Sequence, residues 1–236
     1  YPLMLDYMRC MLEGKSLRTC ANEVGICLKT SFEWRHKILA AIRALEGGIS
    51  FSGIVEADEL LMKYSEKGRK FKNKEEYRRA KRKKHPKIAV LVVTDREGNI
   101  LFKQVGEKKV KNEQLRDELK SRLSENNLIC VKPKKEFRKG VKGLQSKKVI
   151  VNKRQIKRGI YSVKIVESKI SDFKTWLSRF HGVATKYLQS YLMWFVIMNK
   201  YLKELIDSDI GRLLNLSSHD RWAWDKYREI VSQRYY

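Results

Sequence analysis

Apolar positions follow a helical period at the start of the chain. Leu3, Leu5, Met8, Met11 and Leu12 recur at helical spacing, and Gly14 stops the run. Ser16 is placed to cap a second helix with Leu17, Cys20, Ala21 and Val24 on its apolar side, Gly25 gives a turn, and Ile26 is expected to plug the core. A third helix is predicted from near Thr30 through Phe32, Ile38, Leu39 and Ile42. Two helices joined by a short glycine-containing turn match the helix-turn-helix pattern; a plain three-helix bundle fits the same residues. Lys29, Thr30, Ser31, Glu33, Trp34 and Lys37 are left for the exposed side of the third helix, whose N-terminal part meets base edges when such a motif binds DNA.

Glu46-Gly47-Gly48 interrupts this period and closes a first region, residues 1–46. Beyond it the pattern shortens to that of strands. Ile54-Val55-Glu56-Ala57-Asp58-Glu59 is a short apolar strand that ends in carboxylates and runs into Leu60-Leu61-Met62. Lys63 to Lys84 is dense in Lys and Arg, with Gly68, Phe71 and Tyr77 scattered through it. It fits either a solvated loop or a strand or loop that guides a polyanionic substrate. Pro86 ends that block, Ile88 to Val93 is a continuous apolar strand, Asp95-Arg96-Glu97-Gly98-Asn99 a hairpin turn, and Ile100-Leu101-Phe102 with Val105 the returning strand. Asn112 is placed to cap a helix carrying Leu115, Leu119 and Leu123. Leu128 to Val131 is a further apolar strand, ending at Lys132-Pro133-Lys134-Lys135. Val149-Ile150-Val151 predicts a short strand and Tyr161 to Val166 an extended segment; Glu167 then stands at the mouth of a helix with Ile170, Phe173, Trp176, Leu177 and Phe180.

Strand, hairpin, helix and buried strand, with the first and last strands adjacent, is the ribonuclease-H-like order, a mixed α/β sheet with helices. In it the ends of those two strands face one point, where carboxylates from separate elements converge on divalent ions. Asp58 and Glu167 are the candidates; the plain alternative is a strand ending in solvated acids. His181, a lone histidine within Phe180-His181-Gly182, fits a helix end or a packing position.

Charge sharpens this reading. Lys and Arg outnumber Asp and Glu 52 to 27, a formal charge of +25, on a chain with 42% hydrophobic residues. That describes a folded protein facing a polyanion, nucleic acid first and an anionic membrane surface second. The longest apolar run, Leu192 to Met198, falls far short of the roughly 20 residues a spanning helix needs. No basic-then-apolar leader opens the chain, which predicts a soluble, intracellular protein. Cys10, Cys20, Cys27 and Cys130 lack paired CxxC spacing and nearby histidines, so they are expected as small buried apolar residues, not zinc ligands. The candidate DNA contacts are Lys29, Thr30, Ser31, Trp34 and Lys37 on the third helix, then Arg69, Lys70, Arg78, Arg79 and Arg82 in the first basic block. Lys134, Lys135, Lys153 and Arg154 follow in a second belt from Lys132 to Arg158, with Lys186 beyond it.

The run Phe173-Lys174-Thr175-Trp176-Leu177, then Arg179 to Leu188, then Tyr191-Leu192 and Trp194-Phe195, resembles the C-terminal signature of a group of bacterial insertion-sequence DDE transposases related to the eukaryotic Merlin elements. Val55 to Glu59 with Lys63 to Gly68 resembles the first catalytic block of that group. Leu12-Glu13-Gly14, Ser16-Leu17-Arg18, Thr30-Ser31-Phe32 and Trp34 to Leu39 resemble its helix-turn-helix. The resemblance implies a catalytic ribonuclease-H-like domain over residues 50–198, followed by a helical extension, residues 199–236. It implies recognition of the inverted repeats at a mobile element's ends, cleavage there with two magnesium ions, and joining of the freed 3′-hydroxyl to target DNA. A homodimer on paired double-stranded ends follows, located with DNA in the nucleoid or nucleus. The group also carries a zinc ribbon ahead of the helix-turn-helix, a module expected to be missing before Tyr1-Pro2-Leu3.

The group's pattern places the first and third metal ligands at Asp58 and Glu167, and the second at Lys132, where an aspartate is expected; Ile170 stands where a histidine is usual. At ~4 Å and an effective dielectric near 20, one unit-charge pair is worth on the order of 4 kcal/mol, and a divalent ion roughly doubles it. Lysine reverses the sign of that contribution. The expectation is an ammonium bridging Asp58 and Glu167 in the metal's place, keeping the fold and abolishing the chemistry; Glu59 and Glu136 are the nearest substitute acids by sequence. A transposase-derived DNA-binding protein, domesticated or inactive, is therefore the leading function, an active magnesium-dependent DDE transposase the alternative, and a general nucleic-acid binder a third. At the C-terminal end Leu202, Leu205 and Ile206 continue a helix, Ser208 or Asp209 is placed to cap another with Leu213 and Leu214, and Trp222, Trp224 and Tyr227 fit either core or a dimer contact.

Overall fold

A computed structural model describes residues 2–151, 157, 158, 160–201, 225, 228 and 229. In chain order its elements are α1 (Pro2–Leu12), α2 (Leu17–Val24), α3 (Leu28–Arg43), β1 (Ile54–Met62), α4 (Lys74–Arg82), β2 (Ile88–Asp95), β3 (Ile100–Glu107) and α5 (Asn112–Lys120). There follow β4 (Leu128–Val131), α6 (Lys135–Lys142), β5 (Lys147–Ile150), β6 (Lys157–Arg158), β7 (Tyr161–Ser162), α7 (Lys164–Ser178) and α8 (Leu188–Tyr201). Packing groups them into two units. One comprises the chain up to Ile49 with Ser171–His181 and the residues from Gln189; the other comprises Ser50–Ile170 with Gly182–Leu188. Lys153, Arg154 and the C-terminal positions from Leu202 to Tyr227 singled out above lie outside the described residues.

In the helical unit, α2 starts where Ser16 Oγ accepts the Thr19 amide at 3.2 Å and ends at Gly25, whose φ of 72° is left-handed and suits glycine. Ile26 is half-buried, so it reaches the core only in part. α3 begins at Leu28, ahead of the expected Thr30, because Cys27 Sγ accepts the Thr30 amide and takes the capping role. Cys27 is exposed there, a correction to its expected burial, whereas Cys10, Cys20 and Cys130 are buried. Ser31 also departs from expectation: it is fully buried, taking the Tyr7 hydroxyl on its carbonyl at 2.5 Å and donating Oγ–H to Leu17 O at 2.9 Å. Arg35 is buried too. Its guanidinium faces the Trp194 ring at 5.1 Å and the Phe180 ring at 5.7 Å and donates to Lys15 O at 2.8 Å. Around it Trp176 meets Phe180 and Trp194, and Phe180 meets Tyr191, edge to face, a packing their quadrupoles favour.

The sheet unit has strand order β3-β2-β1-β4-β5. β1, β2 and β3 form an antiparallel meander, and β4 and β5 run parallel to β1, with β2 buried along its whole length. This is the ribonuclease-H-like arrangement. Two helices lie inside the basic stretches where none was expected, α4 and α6. α6 buries Phe137 and Val141, and Gly140 lets it approach α5 so closely that an added Cβ would sit 2.8 Å from Leu115 Cδ2 and 3.1 Å from Asn112 O. α5 ends before Leu123, and Gln114 Oε1 accepts the Lys111 amide at its start. His181 has a positive φ of 51° just beyond α7. No helix among the described residues is long and apolar enough to cross a membrane.

Candidate active site

Alternation along β1 puts Glu56 and Asp58 on one face of the strand and Glu59 on the other. β4 pairs with β1 only from Leu128 opposite Ile54 to Val131 opposite Ala57, so it stops one residue short of Asp58. There the chain folds sharply about Pro133, the Lys134 amide donating to Lys132 O at 2.8 Å in a three-residue turn that the fixed φ of proline favours. The turn aims two ammonium groups back at β1. Lys132 Nζ lies 2.6 Å from Asp58 Oδ2 and 2.5 Å from Glu167 Oε1. Lys134 Nζ lies 2.9 Å from Asp58 Oδ1 and 3.0 Å from Glu59 Oε1. Asp58 also accepts the Glu59 amide at 2.8 Å, and Glu59 Oε2 accepts the Val110 amide at 3.1 Å.

Glu167 reaches this point because of Glu56, a residue to which the sequence pattern alone assigns no role. Glu56 is 1% exposed and belongs to β1, yet its Oε2 accepts the amides of Ile165 and Val166 at 2.9 and 3.2 Å, while Oε1 accepts the Ser162 hydroxyl at 2.8 Å. The two amides are orphan donors of the first turn of α7, where an anion is favoured by the helix dipole. Capping from a distant strand starts α7 at Lys164, so the extended segment expected up to Val166 is cut short and Glu167 falls in the first turn of the helix.

Burial pushes the Asp58 carboxyl up, but the hydrogen bonds from Lys132 and Lys134 outweigh it and hold the group below its ordinary value. Burial likewise pushes the Lys132 ammonium down, and its bonds to Asp58 and Glu167 reverse this, leaving it above its ordinary value. Asp58 and Lys132 are thus charged across the neutral range. A two-ion centre needs carboxylate lone pairs converging on empty space. Here both Asp58 oxygens face ammonium groups and one Glu167 oxygen does too, so the donor set does not fit magnesium. Glu59 is held by Lys134, and Glu136 pairs with Lys109 at 2.9 Å, so neither substitute acid completes a ligand set. Among the described residues no cluster of three His, Cys, Asp or Glu side chains is arranged to hold a metal.

Several candidate DNA contacts turn inward. Ser31 is spent within the helical unit, and Lys134 is spent on Asp58 and Glu59. Arg69 is held by Glu66 and Glu76 at 2.9 and 3.0 Å. Thr30, Trp34, Lys37 and Lys186 are half-buried; Trp34 meets the Tyr7 ring edge-on at 5.6 Å, and burial pushes the Lys37 and Lys186 ammonium groups down. Lys29, Lys70, Arg78, Arg79, Arg82 and Lys135 are exposed. The signals that sequence analysis passed over were local ones. Glu56 shares a strand face with Asp58, and Lys134 stands two residues from Lys132 across a proline.

The sheet is ribonuclease-H-like, with Asp58 on its first strand, Lys132 just past its fourth and Glu167 in the first turn of a following helix. The chain belongs to the ISXO2-like transposase family, whose domain matches residues 50–197. It is also similar to the protein in a crystal structure of a pre-cleavage Mos1 transpososome, at 10% identity and a TM-score of 0.37, over 93% of this chain and 75% of that one. No curated protein matches the chain.

Proposed function

We propose that this chain is a transposase-derived DNA-binding protein whose cleavage centre is closed by its own lysines. The observation that carries this is Lys132 Nζ lying 2.6 Å from Asp58 Oδ2 and 2.5 Å from Glu167 Oε1, at the position where the family's plan requires an aspartate. The formal charge of +25 and the exposed Lys29 at the start of α3 support DNA as the partner, with α2 and α3 as a helix-turn-helix reading an element's inverted-repeat ends. Under this reading the protein needs no magnesium, assembles as a homodimer on paired ends, and resides with DNA in the nucleoid or nucleus.

The test is cleavage and strand transfer on labelled duplexes that carry the element's ends, with magnesium or manganese. A single Lys132→Asp exchange leaves Lys134 on Asp58, so the informative variant is Lys132→Asp with Lys134→Ser. The wild type is expected to bind and not cut, and the double variant to gain metal-dependent cutting. Cutting by the wild type, abolished by Asp58→Ala, would establish an active DDE transposase instead.

A further inference from the structure

The stretch from Lys63 to Lys84 holds twelve Lys or Arg against three Glu, and within it stands a helix that no core demands. None of the residues of α4 is buried. Nine residues are fewer than an isolated helix needs to persist in water. What holds α4 is local: Asn73 Oδ1 caps it by accepting the Glu76 amide at 2.8 Å, Glu76 in turn accepts the Lys72 amide and pairs with Arg69, and Tyr77 meets Phe71 edge to face at 5.3 Å. The loop before it is pinned to the sheet unit, the Ser65 amide donating to Thr185 Oγ1 and the Thr185 amide to Ser65 O, both at 2.8 Å. The chain thus builds a helix and anchors its base while leaving its body uncovered.

At 100° per residue, the half-buried positions of α4, Glu76 and Ala80, fall together on the inward side. The remaining arc of about 200° carries Tyr77, Lys81, Lys74, Arg78, Arg82 and Arg79, with Glu75 as its one acid, in the first turn where the helix dipole favours it. Among the described residues none of Arg78, Arg79, Lys81 and Arg82 forms an ion pair. Cations spread over so wide an arc match phosphates on two sides at once, as inside a groove, better than they match a flat anionic surface. A nine-residue helix is about 13 Å long, and the major groove of B-form DNA, about 12 Å wide, admits a helix where the deep, narrow groove of duplex RNA does not. β1 and β4 are parallel, so α4 and the Lys132 turn both follow the carboxyl ends of adjacent strands.

We propose that α4 is a second DNA-engaging element, independent of α2 and α3, which enters the major groove and binds phosphates on both rims without reading sequence. This rests on the DNA-binding reading above. The test is fluorescence anisotropy of the full chain on an element-end duplex and a scrambled duplex over a range of salt, comparing wild type with R78A/R79A/R82A; alanine keeps α4 helical. Each phosphate contact contributes about 0.9 to the slope of log affinity against log salt. The variant is expected to bind both duplexes at least tenfold more weakly at low salt, with a slope shallower by about 2 to 3 and an unchanged ratio between them. A wild type that binds DNA beside a variant with the same affinity and slope would overturn the role of α4 alone. Loss confined to the element-end duplex would make α4 a base reader, contrary to the proposal. An equal loss on an RNA duplex would overturn the groove assignment, and a wild type that binds neither DNA would remove the underlying reading as well.

Discussion

Asp58 bears an ammonium group on each oxygen, and that sets how the centre responds to pH and substitution. Its carboxyl is held below its ordinary value, so it stabilises the fold fully above the carboxylate range and loses that contribution as pH falls through the lowered pKa. Lys132 is held above its ordinary value, so its contribution is complete below that value and is lost as pH rises through the raised one. Stability is therefore expected to plateau between about pH 4 and pH 10, and denaturant titrations carried below about pH 4 should show the acid limb flattened in Lys132→Met with Lys134→Met. Removing Lys132 alone leaves Glu167 unpaired and is expected to cost about 1 to 3 kcal/mol, reduced from the fully buried case by solvent access. The Lys132 bridge was legible in the sequence, because a lysine at a ligand position has two acids to satisfy. The second lysine was not, since only the turn about Pro133 brings Lys134 to the same carboxylate.

At the scale of elements, α7 depends on a residue from another strand. Glu56→Ala strands the Ser162 hydroxyl and the Ile165 and Val166 amides, and is expected to cost about 2 to 4 kcal/mol, with protection from hydrogen exchange lost first at the start of α7. α5 and α6 depend on close approach: Gly140→Val must push into the Asn112 backbone and is expected to cost about 1 to 3 kcal/mol by thermal denaturation. The strands of the sheet were visible as apolar runs from Ile54 to Val131, because burial on both faces leaves a continuous signal. α4 and α6 were hidden, since residues chosen for charge mask a helical period: α6 shows only Phe137, Gly140 and Val141 inside, and α4 nothing buried. The start of α7 was misplaced because its cap is 109 residues away in sequence.

For the whole molecule, the donor set predicts indifference to divalent ions. Chelation is expected to leave the melting temperature unchanged, and calorimetric titration with manganese to give no heat from the Asp58 centre; a saturable site lost in Asp58→Ala would contradict both. The charge of +25 makes any DNA affinity steeply dependent on salt, so comparisons between variants hold only at matched ionic strength. Composition announced this property directly. The family followed from blocks spread along the chain, and the matched segment, residues 50–197, covers the sheet, all of α7 and most of α8.

The turn about Pro133 also ties the two lysines into one unit. Because Lys132 and Lys134 grip different oxygens of one aspartate, restoring the acid at 132 still leaves Asp58 neutralised, and removing Lys134 alone leaves the bridge to Glu167 in place. Each change gives up part of the ion cluster on β1 while leaving an ammonium group on Asp58. The two lysines act as one lock on Asp58, and only their joint replacement frees both of its oxygens from ammonium groups.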